Sequence, residues 1–284
     1  MVLRLLMTSI RLLAFAALSL LGFSGCASRF DVASAPGFQL IEGPQGHYYA
    51  YVPKDASERV QRGEKLPVIL YLHGGGERGT DPEKPTQVGL GPYVAQSNGS
   101  FPFVVLFPQC PAGHYWAEPA QIEHAIAILD DALPRIGGDA DRVYLTGNSL
   151  GGYGTWLAAA AHPDRFAAIA PICGGVKPPK GVRVPKDSRF ANLADPYPAV
   201  AEAIGHVPTW AFVGAKDWLV PPAESEKMVA ALKERGDDAK LTIYPGVGHA
   251  SWDVAYADPA LFTWMAAQRR VTATTPAAPG PAGK

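Results

Sequence analysis

The stretch Val143-Tyr144-Leu145-Thr146-Gly147-Asn148-Ser149-Leu150-Gly151-Gly152-Tyr153-Gly154 leads into an alanine-rich run that ends at Ala161. Its first four residues are apolar or β-branched, the pattern of a short strand buried on both faces. Gly147 to Gly151 form a G-x-S-x-G pentapeptide, and the flanking glycines permit a turn that side chains would block. Gly151–Ala161 then reads as a helix. A strand, a tight turn and a helix in that order present the Ser149 hydroxyl at a helix N-terminus, where the backbone N–H of Leu150 can face a developing negative charge. The pentapeptide alone is a moderate signal; the strand before it and the helix after it give it meaning.

Outward from this turn, short apolar runs alternate with helical patterns. That alternation predicts the α/β class, with a mostly parallel central sheet and helices on both faces. The strand candidates are Tyr48–Val52, Val68–Leu72, Phe103–Phe107, Val143–Thr146, Ala167–Pro171, Thr209–Val213 and Leu241–Tyr244. Between the third and fourth, Ile122, Ala125, Ile126, Leu129 and Leu133 recur at helical spacing, and Pro134 with Gly137-Gly138 ends the pattern. That segment is an amphipathic crossover helix. Another helix is expected over Ala223–Arg235, opened by Pro221-Pro222 and closed by Gly236. Residues 174–206, rich in Pro, Gly and charge, predict a small irregular insertion over one face of the sheet, holding a short helix at Ala199–Ile204.

Of the 284 residues, 48% are hydrophobic and 18% charged, enough apolar material to bury one large domain. With a formal net charge of −1 and no basic tract, a nucleic-acid partner is not expected. Residues 1–25 place Arg4 and Arg11 around the start of an apolar run, Leu12–Phe23, with Ser24-Gly25 before Cys26, which is the order of an export signal. The apolar run is too short to span a bilayer comfortably. Phe23-Ser24-Gly25-Cys26 resembles the lipobox of bacterial lipoproteins, which implies lipidation of Cys26; Phe23 departs from the leucine usual at that place. The expected organisation is a signal peptide over 1–25, a tether over 26–36, a catalytic domain over 37–271 and a disordered tail over 272–284. An exported protein follows, held at the membrane through Cys26 or else free in the periplasm or medium.

A serine hydroxyl is a poor nucleophile at neutral pH and needs a base within hydrogen-bonding reach. Among the seven histidines, His249 lies in the glycine-rich stretch Gly246–Trp252, just past the last strand candidate, where a loop can bring it over the carboxyl edge of the sheet. His124 and His162 fall on helices and read as structural, His114 and His206 lie in loops as weaker rivals, and His47 precedes the first strand candidate. An acid must fix the tautomer of the base and stabilise its cation. Asp217 follows Thr209–Val213 through Gly214-Ala215-Lys216 and leads for that role; Asp195 and Asp253 are the alternatives. His73-Gly74-Gly75-Gly76 ends another strand candidate, and the amide of Gly75, or its neighbour Gly74, is expected to join Leu150 in an oxyanion hole. Gly74-x-Gly76-x-x-Gly79 also satisfies a dinucleotide fingerprint, but Thr80–Pro85 follows where a pyrophosphate-binding helix would begin. No Walker lysine, H-E-x-x-H or Cys-x-x-Cys occurs, so neither a metal nor an organic cofactor is expected.

Several segments together resemble one group of α/β-hydrolases: bacterial esterases related to phospholipase/carboxylesterase, dienelactone hydrolase and polyhydroxybutyrate depolymerase, overlapping the prolyl-oligopeptidase-like superfamily. These segments are Leu72–Gly79, Phe107–Pro111, Asp141–Gly147, Ser149 with Tyr153–Trp156, Gly214–Asp217 and Gly248–Trp252, so the resemblance runs from about Leu66 to Tyr256. It implies the α/β-hydrolase fold, a Ser149-His249-Asp217 triad and hydrolysis of a small-molecule or polymer-derived ester. Val213 stands where the group often has a histidine, and Trp218 stands where small or polar residues are common. The family sheet order separates the strand before Cys110 from the strand before Cys173, which implies two unpaired cysteines. A peptidase of the prolyl-oligopeptidase type is the weaker reading, because the sequence holds neither that group's large gating domain nor an acidic motif for an amine terminus. A non-catalytic envelope-binding lipoprotein on the same fold is weaker still, since a binding relic has no need of three triad residues. Trp116, Tyr153, Trp218 and Trp252 each fall shortly after a strand candidate and are expected to gather substrate at the catalytic edge, unless some of them serve as core.

Overall fold

The strands are built from the apolar runs, and in a computed structural model that describes residues 36–178 and 189–270 they join one sheet in the order β1-β2-β4-β3-β5-β6-β7-β8. The strands are β1 Gly37–Gly43, β2 Gly46–Val52, β3 Leu66–Leu72, β4 Val104–Phe107, β5 Gly138–Asn148, β6 Ala168–Ile172, β7 Thr209–Gly214 and β8 Ala239–Tyr244. From β4 to β8 every neighbouring pair is parallel, while β2 runs antiparallel to both β1 and β4. The mostly parallel α/β architecture expected from the alternation is therefore the architecture found. β3, β4 and β6 are buried at every residue, as continuous apolar runs require when helices cover both faces.

The helices are α1 Ala56–Gln61, α2 Leu90–Gln96, α3 Pro119–Arg135, α4 Leu150–Ala161, α5 Tyr197–Ile204, α6 Ala223–Glu234, α7 Trp252–Ala257 and α8 Pro259–Ala267. One core layer holds Ala56, Ile122, Ile126, Leu129, Trp156, Val200 and Met228, so α1, α3, α4, α5 and α6 lie on one face. The other layer holds Leu90, Val94, Tyr256, Leu261 and Met265, which puts α2, α7 and α8 on the opposite face. Among the described residues no helix is long and apolar enough to cross a membrane.

Three details depart from the sequence reading. β1 pairs along its whole length with β2, including Gly37↔Val52 and Gly43↔Gly46, although its sequence shows no apolar run. His47 sits within β2 and is exposed, rather than preceding it. The crossover helix α3 continues one residue past Pro134, which the last turn tolerates because only one backbone bond is lost there. The short helix expected in the insertion is present as α5, beginning two residues earlier than Ala199, and four of its residues join the core beside α4 and α6. The expected signal peptide, Cys26, nearly all of the tether, residues 179–188 of the insertion and the C-terminal tail lie outside the described residues.

Candidate active site

Ser149 occupies the turn between β5 and α4 with φ 55° and ψ −117°. This positive-φ conformation costs a non-glycine residue about 1–3 kcal/mol, and the surrounding chain over-determines it. A Cβ on Gly151 would lie 1.8 Å from the Leu72 carbonyl oxygen, and one on Gly152 would lie 2.4 Å from that of Ile172. The missing side chains let the start of α4 press against the ends of β3 and β6. Ser149 N–H donates to the Ile172 carbonyl at 3.0 Å, closing the turn onto β6.

The candidate acid and base come from loops at the same carboxyl edge. Asp217 lies three residues past β7 and is buried at 5% exposure. Its Oδ1 accepts the backbone N–H groups of Leu219 and Val220, both at 2.9 Å. Its Oδ2 lies 2.8 Å from Nδ1 of His249, whose Nε2 lies 2.8 Å from Ser149 Oγ. Two amides thus fix one carboxylate oxygen while the other faces the imidazole. Trp252 packs edge-on against the His249 ring, with centroids 5.5 Å apart, and limits its rotation. Ser149 and His249 are half-buried, so solvent and small molecules reach them.

The other candidate acids and bases stand elsewhere. Asp195 caps the start of α5 through Tyr197 N–H, and Asp253 is exposed in the first turn of α7. His114 faces Glu118, His124 faces Gln45, His162 faces Glu123 and His206 faces Asp237.

Leu150 is the first residue of α4 and Gly75 the first of a 3-10 turn over Gly75–Glu77, so neither amide has an acceptor inside its own helix. The two residues pack together: a Cβ on Gly75 would be 2.9 Å from Leu150 Cδ1. The glycine turn is held from behind by residues for which the sequence reading gave no role or a different one. His73, fully buried, accepts Cys110 N–H on Nε2 at 3.0 Å, so the proton sits on Nδ1 and is donated to the Gly74 carbonyl at 2.7 Å. Burial lowers its pKa to about 4, which keeps the ring neutral and this tautomer intact across the neutral range. Gln109 Nε2 donates to the Glu77 carbonyl at 3.0 Å, and Arg78 Nε donates to that of Gly75 at 2.9 Å. Asn148, inside the pentapeptide, accepts the Tyr71 hydroxyl at 2.5 Å beneath the same turn.

Of the four rings expected at the catalytic edge, two reach solvent and two do not. Trp218 directly follows the acid and is 83% exposed, and Trp252 is half-buried against His249. Trp116 and Tyr153 are corrections, because both are core. Trp116 tucks under α4, where glycine at 154 leaves room for its Cβ, and its Nε1 donates to the His73 carbonyl at 3.0 Å. Tyr153 is 4% exposed, and burial pushes its phenol pKa upward. Neither ring is offered to a substrate; Trp116 supports the glycine turn instead.

The sequence pattern of the dienelactone hydrolase family matches residues 112–257, just over half of the chain and all three members of the hydrogen-bonded relay. The chain belongs to the dienelactone hydrolase family. Within that family assignment, a solved structure described as a thermostable esterase is 30% identical, with a TM-score of 0.67, over 82% of this chain and 63% of its own. An uncharacterized secreted protein of Arthroderma benhamiae is 27% identical over 229 residues, 75% of this chain and 24% of that protein. Feruloyl esterase B of Neurospora crassa is 30% identical over 137 residues, 44% of this chain and 43% of that enzyme. The chain spans less than half the length of either of these curated relatives. Cys110 and Cys173 are both free and buried, in keeping with their places after the non-adjacent strands β4 and β6.

Proposed function

We propose that this member of the dienelactone hydrolase family is an exported serine hydrolase that cleaves carboxylic esters through an acyl-enzyme on Ser149. The observation that carries the reading is the unbroken relay from Ser149 Oγ to His249 Nε2 and from His249 Nδ1 to Asp217 Oδ2, each step 2.8 Å. With Nδ1–H directed at the carboxylate, Nε2 is left with the lone pair that receives the serine proton. As that proton leaves, Oγ bonds to the acyl carbon and the carbonyl electrons move onto oxygen. The Leu150 and Gly75 amides hold this oxyanion. Collapse breaks the bond to the alcohol oxygen, which takes the proton from His249 and departs. Water then repeats the sequence: His249 removes its proton, its oxygen attacks the acyl carbon, and Ser149 regains a proton as the acid leaves.

The substrate class rests on the exposed ring that directly follows the acid. Trp218 offers a flat apolar face beside the relay, and stacking contributes roughly 0.5–1.5 kcal/mol beyond area burial. Aryl acyl groups or sugar rings then bind better than flexible long aliphatic chains; the name of the Neurospora crassa relative, a feruloyl esterase, is in line with an aryl ester. In assays over a panel of esters, Trp218→Ala is expected to raise KM for an aryl or sugar ester several-fold and to leave a small acetate ester nearly unchanged. Equal effects on both, or a wild-type preference for long lipid chains, would overturn this specificity.

Export and anchoring through a lipid on Cys26 complete the proposal, supported by the charged, apolar and small-residue order of residues 1–26 and by the secreted relative. Each buried CH₂ of an acyl chain contributes about 0.8 kcal/mol of membrane affinity. Cell fractionation of Cys26→Ser should therefore find the protein moved from the membrane to the soluble fraction. A wild-type mature chain that starts elsewhere and carries no lipid would refute the anchor.

A further inference from the structure

Cys173, the first residue past β6, lies where the three triad loops meet. It is fully buried with φ 40°, and its own N–H continues the ladder to the Phe212 carbonyl at 2.8 Å. Its Sγ is 3.3 Å from the backbone nitrogen of Ser149, a second acceptor for the amide that also meets the Ile172 carbonyl. The Sγ, a carboxylate oxygen of Asp217 and a ring nitrogen of His249 all lie within 4.8 Å of one another. The Ser251 hydroxyl, buried and without a hydrogen-bond partner among the described residues, lies near enough to act on the same sulfur.

From these contacts we propose that Cys173 is a positioning residue for the triad, its sulfur bracing the Ser149 turn while donating too weakly to draw the Asp217 carboxylate away from His249. A thiol is a poor hydrogen-bond donor and a hydroxyl a good one. Alanine at 173 would leave the Ser149 amide with one acceptor and open a gap beneath the turn. Serine would put a stronger donor in place of a sulfur that lies within 4.8 Å of the Asp217 carboxylate, and a small shift toward that carboxylate would let it compete with the imidazole N–H. Isoleucine, threonine or valine would resist the positive φ because of branching at Cβ. A cysteine meets all three demands: small, unbranched and weakly donating.

The groups that face Cys173 keep this arrangement steady with pH. Tyr71 on β3, Tyr153 on α4 and Tyr256 on α7 surround it, and burial pushes all three phenols upward, so each stays neutral. Burial likewise pushes the Cys173 thiol up to about 12, which keeps it protonated. Ser149 and Ser251 contribute neutral groups, and Asp217 with its partner His249 are the remaining titratable neighbours. Among the described residues, a donor added at 173 therefore acts on the Asp217–His249 pair.

The inference rests on the triad proposed above, and its test is steady-state ester hydrolysis by Cys173→Ser and Cys173→Ala, normalised to sites titrated with a fluorophosphonate. In the serine variant the extra hydrogen bond stabilises the Asp217 carboxylate, so the imidazolium of His249 is less well supported and its neutral form is a weaker base. Expected for Cys173→Ser are a kcat lower by roughly tenfold, a KM within about twofold, and an acid-side midpoint of kcat/KM lower by about half a pH unit. Cys173→Ala should lose about threefold in kcat and keep the wild-type midpoint. A packing role alone would change folded fraction and melting temperature without moving the midpoint. Serine and alanine variants alike in kcat and midpoint, or a serine variant equal to wild type in both, would overturn the inference. If the serine variant does not fold, wild-type kcat per titrated site in Cys173→Ala overturns it instead. Absence of turnover in the wild-type chain would count against the triad reading, whereas variants equal to an active wild type count against Cys173 alone.

Discussion

Replacing Ser149 with alanine is expected to lower kcat for any ester the wild type cleaves by a factor on the order of 10⁴ or more. In the proposed mechanism the hydroxyl oxygen bonds the acyl carbon, and its proton has a destination 2.8 Å away on His249. Without it the Leu150 and Gly75 amides still offer an oxyanion hole, so a trace of water-driven hydrolysis can persist. Stability should barely move. Alanine keeps the same Cβ in the same positive-φ turn, and the backbone contact to Ile172 that holds the turn does not involve the hydroxyl. A melting temperature within a few degrees of wild type, read together with lost turnover, separates chemistry from folding. Turnover within tenfold of wild type would sink the mechanism.

Asp217→Asn should follow with a loss in kcat of roughly 10²–10⁴. The carboxylate accepts two backbone amides on one oxygen and the imidazole on the other, so it enforces the tautomer with the proton on Nδ1. An asparagine in the same place must give up an acceptor. If its oxygen keeps the two amides, its NH₂ points at Nδ1 and drives the proton to Nε2, where Ser149 needs a lone pair. The variant should fold, because the side chain keeps its shape, and KM should change less than kcat. Asp253→Asn and Asp195→Asn serve as controls, as one is exposed and the other caps α5. Kinetics in which Asp253→Asn is the more damaging change would overturn the assignment of the acid.

The three members of the hydrogen-bonded relay could be picked out in the sequence because each one's place is tied to the end of a buried strand, and buried parallel strands announce themselves as apolar runs. Ser149, Asp217 and His249 follow β5, β7 and β8 at short distances, so reading the strands amounts to reading the site. β1 was missed for the converse reason. It is an edge strand with one buried residue in seven, and nothing in Gly37–Gly43 alternates cleanly enough to mark it. α1, α2 and α7 span fewer than two turns, too short for a helical period, and α8 is apolar on so many sides that periodicity does not distinguish it from a strand.

The aromatic rim failed at Trp116 and Tyr153 because position after a strand says where a backbone lies and not where a ring points. Trp116 folds back under α4 to meet the His73 carbonyl, a long-range pairing over 43 residues that no local pattern records. Cys173 was read only as an unpaired cysteine for the same reason: Ser149, Asp217 and His249 converge on it from three separate loops. Chemistry-bearing residues at strand ends are readable one at a time, whereas their supporting contacts exist only after the chain has folded.

The most direct test of the whole account is covalent. The purified wild-type chain is incubated with a fluorophosphonate, digested, and its peptides weighed by mass spectrometry. If Ser149 is the activated nucleophile, the phosphonyl group should sit on Ser149 alone, at one group per chain, and labelling should vanish in Ser149→Ala and slow by orders of magnitude in Asp217→Asn. A chain that hydrolyses esters yet carries no adduct on Ser149, or carries it on another residue, would contradict the account.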